Sequence, residues 1–175
     1  MKILLVIDML KDFMTREGVL YCGENSEKII PFIKSKIEDF NKRGHKIIYL
    51  ADSHKEDDKE FEMFPKHCVE GTKGAEILDD LYIKGAPIVE KTRYSGFYNT
   101  NLEKLISDEG NGNTEDIEVH VVGVCTNICV MYTVEELRNR DIKTIVHKKG
   151  VASFDEEAHK FALTQMKDVL GAEVI

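Results

Sequence analysis

The sequence has no apolar run approaching the about 20 residues a membrane-spanning helix needs. It has no tryptophan, and its four cysteines are Cys22, Cys68, Cys125 and Cys129. Cys125 and Cys129 are not spaced as CxxC, and no second pair stands ready to complete a zinc knuckle. A secretory leader is not evident: Met1–Lys2 runs directly into Ile3–Leu4–Leu5–Val6–Ile7, too short for a leader's apolar core and closed by Asp8. That segment reads as a buried strand of a cytoplasmic protein, in which disulfides are not expected. Positive charge is not in excess: 24 Lys and Arg against 32 Asp and Glu give a formal net charge of −8. Neither nucleic acid nor an anionic membrane is therefore an expected partner. There are no repeats, low-complexity tracts or linkers. What remains is an ordinary globular composition, 42% hydrophobic and 32% charged. Its 175 residues are expected to form one domain, 1–175, with a full core.

Strand and helix signals alternate along the chain. A strand is expected over Lys2–Ile7. Asn25 or Ser26 caps a long helix that ends near Arg43, with Gly44 as its stop and Ile29, Ile30, Ile33, Ile37 and Phe40 as its apolar stripe. A second strand, Lys46–Ala51, precedes a polar loop over Asp52–Thr72, and loops of that length are usually functional or disordered. Then come a short helix Ala75–Leu81, a strand Pro87–Glu90, a helical turn or two over Asn101–Ser107 and a surface loop Asp108–Glu115. The last part reads as a strand Ile117–Val122, a helix Thr126–Arg140, a strand Thr144–His147, a helix Asp155–Val169 and an edge strand Ala172–Ile175. This order predicts an α/β fold, a three-layer α/β/α sandwich around a mostly parallel sheet of about six strands.

The strand ends carry the chemistry. The first closes on Asp8, the second on Asp52, the third on Lys91, and the fourth on a turn holding Gly123, Cys125 and Cys129. In a parallel sheet these ends share one edge, where ligands of α/β proteins bind. Singly, each has a bland reading: Asp8 as strand punctuation, Lys91 as a solvated lysine, Cys129 as a small buried hydrophobe. Together they make an acid, a base and a thiol able to converge. Cys129 also falls in the first turn of a helix, where free N–H groups and the dipole favour a thiolate. In the long loop, Asp52–Ser53–His54 sets two ligand-capable side chains on one side of an extended chain, and His67 follows. One carboxylate and two imidazoles suit zinc, iron or manganese. Glu60 is a further ligand candidate, while the other acids of this loop read as a solvated face. His147 and His159 lack metal spacing and read as structural or exposed.

These residues carry a resemblance. Ile7–Asp8–Met9–Leu10–Lys11–Asp12–Phe13 resembles the D-x-Q-N-D-F opening of the isochorismatase-like cysteine hydrolases, and Asp52–Ser53–His54 resembles the D-x-H of their nicotinamidase branch. Phe64–Pro65–Lys66–His67–Cys68–Val69–Glu70–Gly71–Thr72–Lys73–Gly74–Ala75–Glu76 resembles its W-P-x-H-C-V-x-G-T-x-G-A-E segment. Lys91–Thr92–Arg93–Tyr94–Ser95–Gly96–Phe97 resembles the catalytic lysine segment, and Gly123–Val124–Cys125–Thr126–Asn127–Ile128–Cys129–Val130 the nucleophile motif. The match spans essentially the whole chain.

The resemblance implies a catalytic triad of Asp8, Lys91 and Cys129. It implies one divalent ion, zinc or else iron or manganese, on Asp52, His54 and His67, with Glu60 as a possible fourth ligand. It implies a cis peptide between Val124 and Cys125 that turns the Cys125 N–H toward the same point as that of Cys129, forming an oxyanion hole. Phe13, Phe64, Val124 and Cys125 would line the substrate site, with Tyr98 and Tyr132 as further aromatic candidates. The implied reaction is hydrolysis of nicotinamide to nicotinic acid and ammonia through a thioester on Cys129. The implied assembly is a homo-oligomer, and the implied partner a small-molecule amide. Ser53 and Phe64 stand where the family carries tryptophans, and Met9–Leu10–Lys11 replaces its Q-N. These departures touch the pocket lining more than the triad, so hydrolysis of another small amide or carbamoyl substrate is the alternative expectation.

Overall fold

The computed structural model describes residues 1–175. Six strands form one sheet: β1 Lys2–Ile7, β2 Lys46–Asp52, β3 Ile88–Lys91, β4 Glu118–Val124, β5 Lys143–Ala152 and β6 Glu173–Val174. Their order is β3-β2-β1-β4-β5-β6, and every pairing is parallel. The expected three-layer α/β/α architecture is present. The residues of β1 divide by alternation, as the period of a strand requires. Leu4 and Val6 join Ile33, Ile37 and Phe40 of helix α3 (Ile30–Lys42) on one face. Ile3, Leu5 and Ile7 join residues of α4 (Leu102–Glu109), α5 (Met131–Asn139) and α6 (Glu156–Asp168) on the other. Two short helices, α1 (Lys11–Met14) and α2 (Glu24–Glu27), follow β1.

Four local expectations are corrected. The first long helix does not start at Asn25 or Ser26. Pro31 has no N–H and its ring clashes with the carbonyl four residues back, so α2 stops and α3 begins afresh with Pro31 in its first turn. The Ala75–Leu81 helix is absent. Two 3₁₀ turns, Lys73–Ala75 and Asp79–Leu81, flank a bridge between Ile77 and Leu10, so the backbone there is engaged across the fold. β5 runs five residues past the expected end at His147, through Lys148, Lys149 and Gly150, because Val151 and Ala152 pair with Gly123 and Val124 past an irregularity in register. The last strand shrinks to two residues.

β1 and β4 lie side by side at the centre, with β2 and β3 to one side and β5 and β6 to the other. The crevice at the carboxyl ends of β1 and β4 is thus the topological switch point.

His147, expected to be structural or exposed, is buried on β5 with His120 of β4. His120 Nδ1 and His147 Nε2 are 2.8 Å apart, and His120 Nε2 lies 2.8 Å from Glu118 Oε1. Phe32 and Phe40 pack on the pair. Burial holds His120 below its usual range and pushes His147 from 6.5 down to about 4, helped by Lys36. The unfolded chain therefore binds more protons between these values, and stability falls as pH drops from 6.5 toward 4. His147 alone contributes at most about 3 kcal/mol to that loss. Urea unfolding of the wild type and His147→Gln at pH 7 and pH 4.5 checks this: the variant should lose less stability on acidification.

Candidate active site

The expected triad converges at the switch point. Asp8 leaves β1 with a left-handed backbone (φ 52°), a conformation in which Asp is over-represented, and is fully buried. Its Oδ1 accepts the Asp52 N–H at 3.1 Å. Its Oδ2 is 2.8 Å from Lys91 Nζ but accepts no well-directed hydrogen bond, which leaves that oxygen open to a proton. Lys91, at the end of β3, is only 2% exposed, which removes the solvated-lysine reading. Its Nζ lies 2.5 Å from Asp52 Oδ1 and 3.5 Å from Cys129 Sγ. Its three N–H donors thus meet two carboxylates and the thiol.

The electrostatics follow from two carboxylates sharing one buried cation. Burial opposes the charge on Lys91, but Asp52 and Asp8 outweigh it and hold the ammonium well above its usual range. Burial and the neighbouring Asp52 push Asp8 up to about 6. Burial also pushes Cys129 up, with Lys91 pulling the other way. The resting sulfur is therefore a thiol close to Asp8, and a thiolate forms only when a base takes its proton.

The turn that carries Cys129 departs from the expected continuous helix. Thr126–Val130 is a π-helical turn, with the Val130 N–H reaching back to the Cys125 carbonyl, and α5 starts only at Met131. Such turns recur at functional sites. The Val124–Cys125 peptide is cis, as implied. The Cys125 N–H donates to no acceptor in the chain. Gly123 is obligatory: its φ is 126°, and a Cβ there would lie 2.0 Å from the Ile7 carbonyl oxygen. β1 and β4 can approach closely enough to bring Asp8 beside Cys129 only without that atom. The turn is also tied outward. Thr126 Oγ1 is 2.8 Å from Nδ1 of the half-buried His159 on α6, and Ser153 donates to Asn127 Oδ1 at 2.6 Å, so His159 has a structural role.

The donor set expected to hold a metal is also assembled. Asp52, His54 and His67 are buried and bring one ligand atom each within 4.8 Å of the others. Both rings are oriented through Nδ1: His54 by Asp58 at 3.2 Å, His67 by the Pro65 carbonyl at 2.8 Å. This leaves both Nε2 atoms for a cation, the usual arrangement around histidine ligands. His54 Nε2 is a buried polar atom without a hydrogen-bond partner, so the residues fit a divalent ion. Glu60 lies beside this set, its Oε1 3.8 Å from His67 Nε2, but it is not one of the three convergent donors. Burial and Asp52 raise its carboxyl above the usual range.

Two acids carry structural duties that the sequence pattern does not assign. Asp58 caps the 3₁₀ turn Lys59–Glu62, orients His54 and pairs with Arg93 at 3.0 Å. Its spacing four residues after His54 is the one local signal. Asp12 Oδ2 accepts the Cys68 N–H at 2.7 Å, bracing the residue after His67. Cys68 itself is packing, as expected, and fully buried.

Asp8 and Cys129 of the triad and Asp52 and His67 of the donor set line one cavity of about 530 Å³, with Lys91 and His54 behind that wall. Phe13, Phe64, Val124 and Cys125 line it as expected, and Tyr94 and Phe154 join them. Tyr98 and Tyr132 do not, Tyr132 being stacked on Tyr94. The acids on its wall are Asp8, Asp52 and Glu60, and no Arg or Lys faces it.

A parallel α/β sandwich with an acid, a buried lysine and a thiol at the switch point, beside a carboxylate–imidazole donor set, defines a hydrolase class. The isochorismatase domain model matches residues 2–175, and the chain belongs to the isochorismatase family as one of its hydrolases. It is 36% identical over 188 residues to the uncharacterized isochorismatase family protein PncA of Bacillus subtilis (strain 168), covering 99% of this chain and 98% of that one. The crystal structure of nicotinamidase PncA from Bacillus subtilis superimposes with a TM-score of 0.90 at 35% identity, covering 99% of this chain and 98% of that one. The pyrazinamidase of Pyrococcus horikoshii in complex with zinc gives 0.88 at 32% identity, with the same coverage.

Proposed function

We propose that the protein is a metal-dependent nicotinamidase, hydrolysing nicotinamide to nicotinic acid and ammonia through a thioester on Cys129. The observation that carries this reading is the placement of Asp8, Lys91 and Cys129 directly beside Asp52, His54 and His67 at one end of a largely apolar cavity. The lining favours an uncharged aromatic amide. With Asp8, Asp52 and Glu60 on the wall and Lys91 already engaged by two carboxylates, no side chain there compensates a substrate carboxylate. Phe13 and Phe64 flank His67 and are suited to hold a flat ring.

In the mechanism this supports, Asp8 takes the Cys129 proton as the sulfur attacks the amide carbon. Lys91 stabilises the resulting charges and keeps Asp8 in place. The N–H groups of Cys125 and Cys129 receive the oxyanion; one such donor is typically worth about 2.7–4 kcal/mol. The intermediate collapses, Asp8 returns its proton to the departing ammonia, and water, deprotonated by Asp8, releases the acid from Cys129. A zinc, iron or manganese ion held by Asp52, His54 and His67 would bind the ring nitrogen and fix the position of the substrate.

Ammonia release from nicotinamide, before and after chelation, tests the proposal. Release that disappears on chelation and returns with zinc, iron or manganese is the expected result. A metal-loaded protein with an alkylatable Cys129 that releases no ammonia from nicotinamide would overturn the substrate and direct the search to other uncharged small amides. The rate should also carry an acid limb. Asp8 acts as a base only when ionised, so kcat/KM should rise with pH through an apparent pKa at or below about 6. A cation on Asp52 removes one of the causes that raise Asp8, which sets the direction of the inequality. A limb above pH 7 would exclude Asp8 as the base.

A further inference from the structure

Cys22 and Cys125 are 103 residues apart in sequence, yet their Sγ atoms lie 3.2 Å apart. Cys22 sits in the loop after α1, its N–H bonded to the Phe13 carbonyl and its sulfur 3.7 Å from the Leu20 carbonyl oxygen. Cys125 is the residue after the cis peptide, in the turn that carries Cys129. Both cysteines line the active cavity, so a small solute entering it meets the pair. Neither thiol has a role in the chemistry above. We propose that Cys22 and Cys125 form a reversible oxidation site for small hydroperoxides, and that the resulting disulfide silences the active site.

The geometry is close to what the bond requires. A disulfide needs the sulfurs to close by only about 1.1 Å. With the sulfurs 3.2 Å apart the same bond closes whichever of the two is oxidised first. By the route through Cys22, its thiolate attacks one peroxide oxygen, the O–O bond breaks, Cys22 becomes a sulfenic acid, and the released hydroxide or alkoxide takes up the proton the thiol lost and leaves as water or alcohol. The Cys125 sulfur then displaces the sulfenic hydroxyl, the S–S bond forms, and the Cys125 proton departs with the hydroxyl as water. Two thiols are oxidised and one hydroperoxide is reduced. The bond pins the 18–22 wall of the cavity to the turn that holds Cys129 and the Cys125 N–H. A shift of about 1 Å there is enough to lower turnover by roughly ten-fold or more.

The consequence for activity rests on the proposed amidase reaction, whereas the bond itself does not. Cys129→Ala protein, in which the third cavity cysteine is gone, is therefore treated with hydrogen peroxide and digested without reduction. The expected product is a Cys22–Cys125 linked peptide, lighter than the two thiol peptides by two hydrogens and separated again by dithiothreitol. Wild-type enzyme given the same dose should lose activity by roughly ten-fold or more and regain it with dithiothreitol. Cys22→Ser, compared with its own untreated level, should keep most of its activity, and Cys22→Ala serves if the serine variant does not fold. Absence of the linked peptide, or equal inactivation of the Cys22 variant, overturns the proposal. If nicotinamide is not the substrate, the linked peptide still forms, so the two failures are distinguishable.

Discussion

Cys129→Ala should lower kcat by roughly 10⁴-fold or more while leaving the fold and the metal content unchanged. The separation of these effects follows from the geometry. Cys129 Sγ faces Lys91 and Asp8, whereas the three convergent metal donors are Asp52, His54 and His67. No other group can replace it as the attacking atom: the Cys125 thiol faces Cys22, and Cys68 is fully buried with its N–H held by Asp12. Cys129→Ser is an instructive companion. It keeps a protic group near Asp8, but a hydroxyl is a far weaker acid than a thiol, and a carboxylate near pKa 6 cannot remove its proton efficiently. Ammonia release, bound metal and circular dichroism on both variants check these outcomes. Turnover retained in Cys129→Ala would exclude the thioester route.

Much of this site is legible in the amino-acid sequence, because strand ends are punctuated by chemistry. Asp8, Asp52, Lys91 and the Gly123–Cys129 turn each interrupt an apolar run, and in a parallel sheet such interruptions gather at one edge. The metal donors are legible for a similar reason, as Asp-x-His is simple strand alternation. What escapes a sequence reading is set by contacts distant along the chain. Asp58 looks like one acid among several, and only the fold turns it onto His54 and Arg93. Ile77 belongs to a helical pattern by sequence, yet it bridges Leu10. Lys148 and Lys149 lie beyond the strand read from the sequence, but β5 continues through them to pair Val151 and Ala152 with β4. The Cys22–Cys125 approach leaves no local signature. Pro31 differs, since its effect on the preceding carbonyl is local and visible in the sequence itself.

Lys91→Met should have the largest effect on stability. The side chain is similar in length and apolar, so it fills the space without the charge. It leaves Asp8 and Asp52, which flank Lys91 Nζ at 2.8 and 2.5 Å, as buried carboxylates without their cation. Removing one partner of a buried ion pair costs about 3–5 kcal/mol, a large share of the roughly 5–15 kcal/mol that holds a domain folded. The cost must depend on pH. Burial and Asp52 already raise Asp8 from 3.8 to about 6 with Lys91 present. Without Lys91 its folded pKa moves further above the unfolded value, so the folded variant takes up a proton that the unfolded chain does not. The penalty is therefore fullest above that folded pKa and shrinks as pH falls through it. Urea unfolding of wild type and variant at pH 8 and pH 5.5 should show the smaller difference at the lower pH. Adding Asp8→Asn to Lys91→Met should recover part of the loss, because one of the two facing charges is gone, so the double variant should be more stable than the sum of the single effects. Strict additivity would mean that Asp8 and Lys91 do not interact in solution, and the charge balance argued for the triad would fail with it.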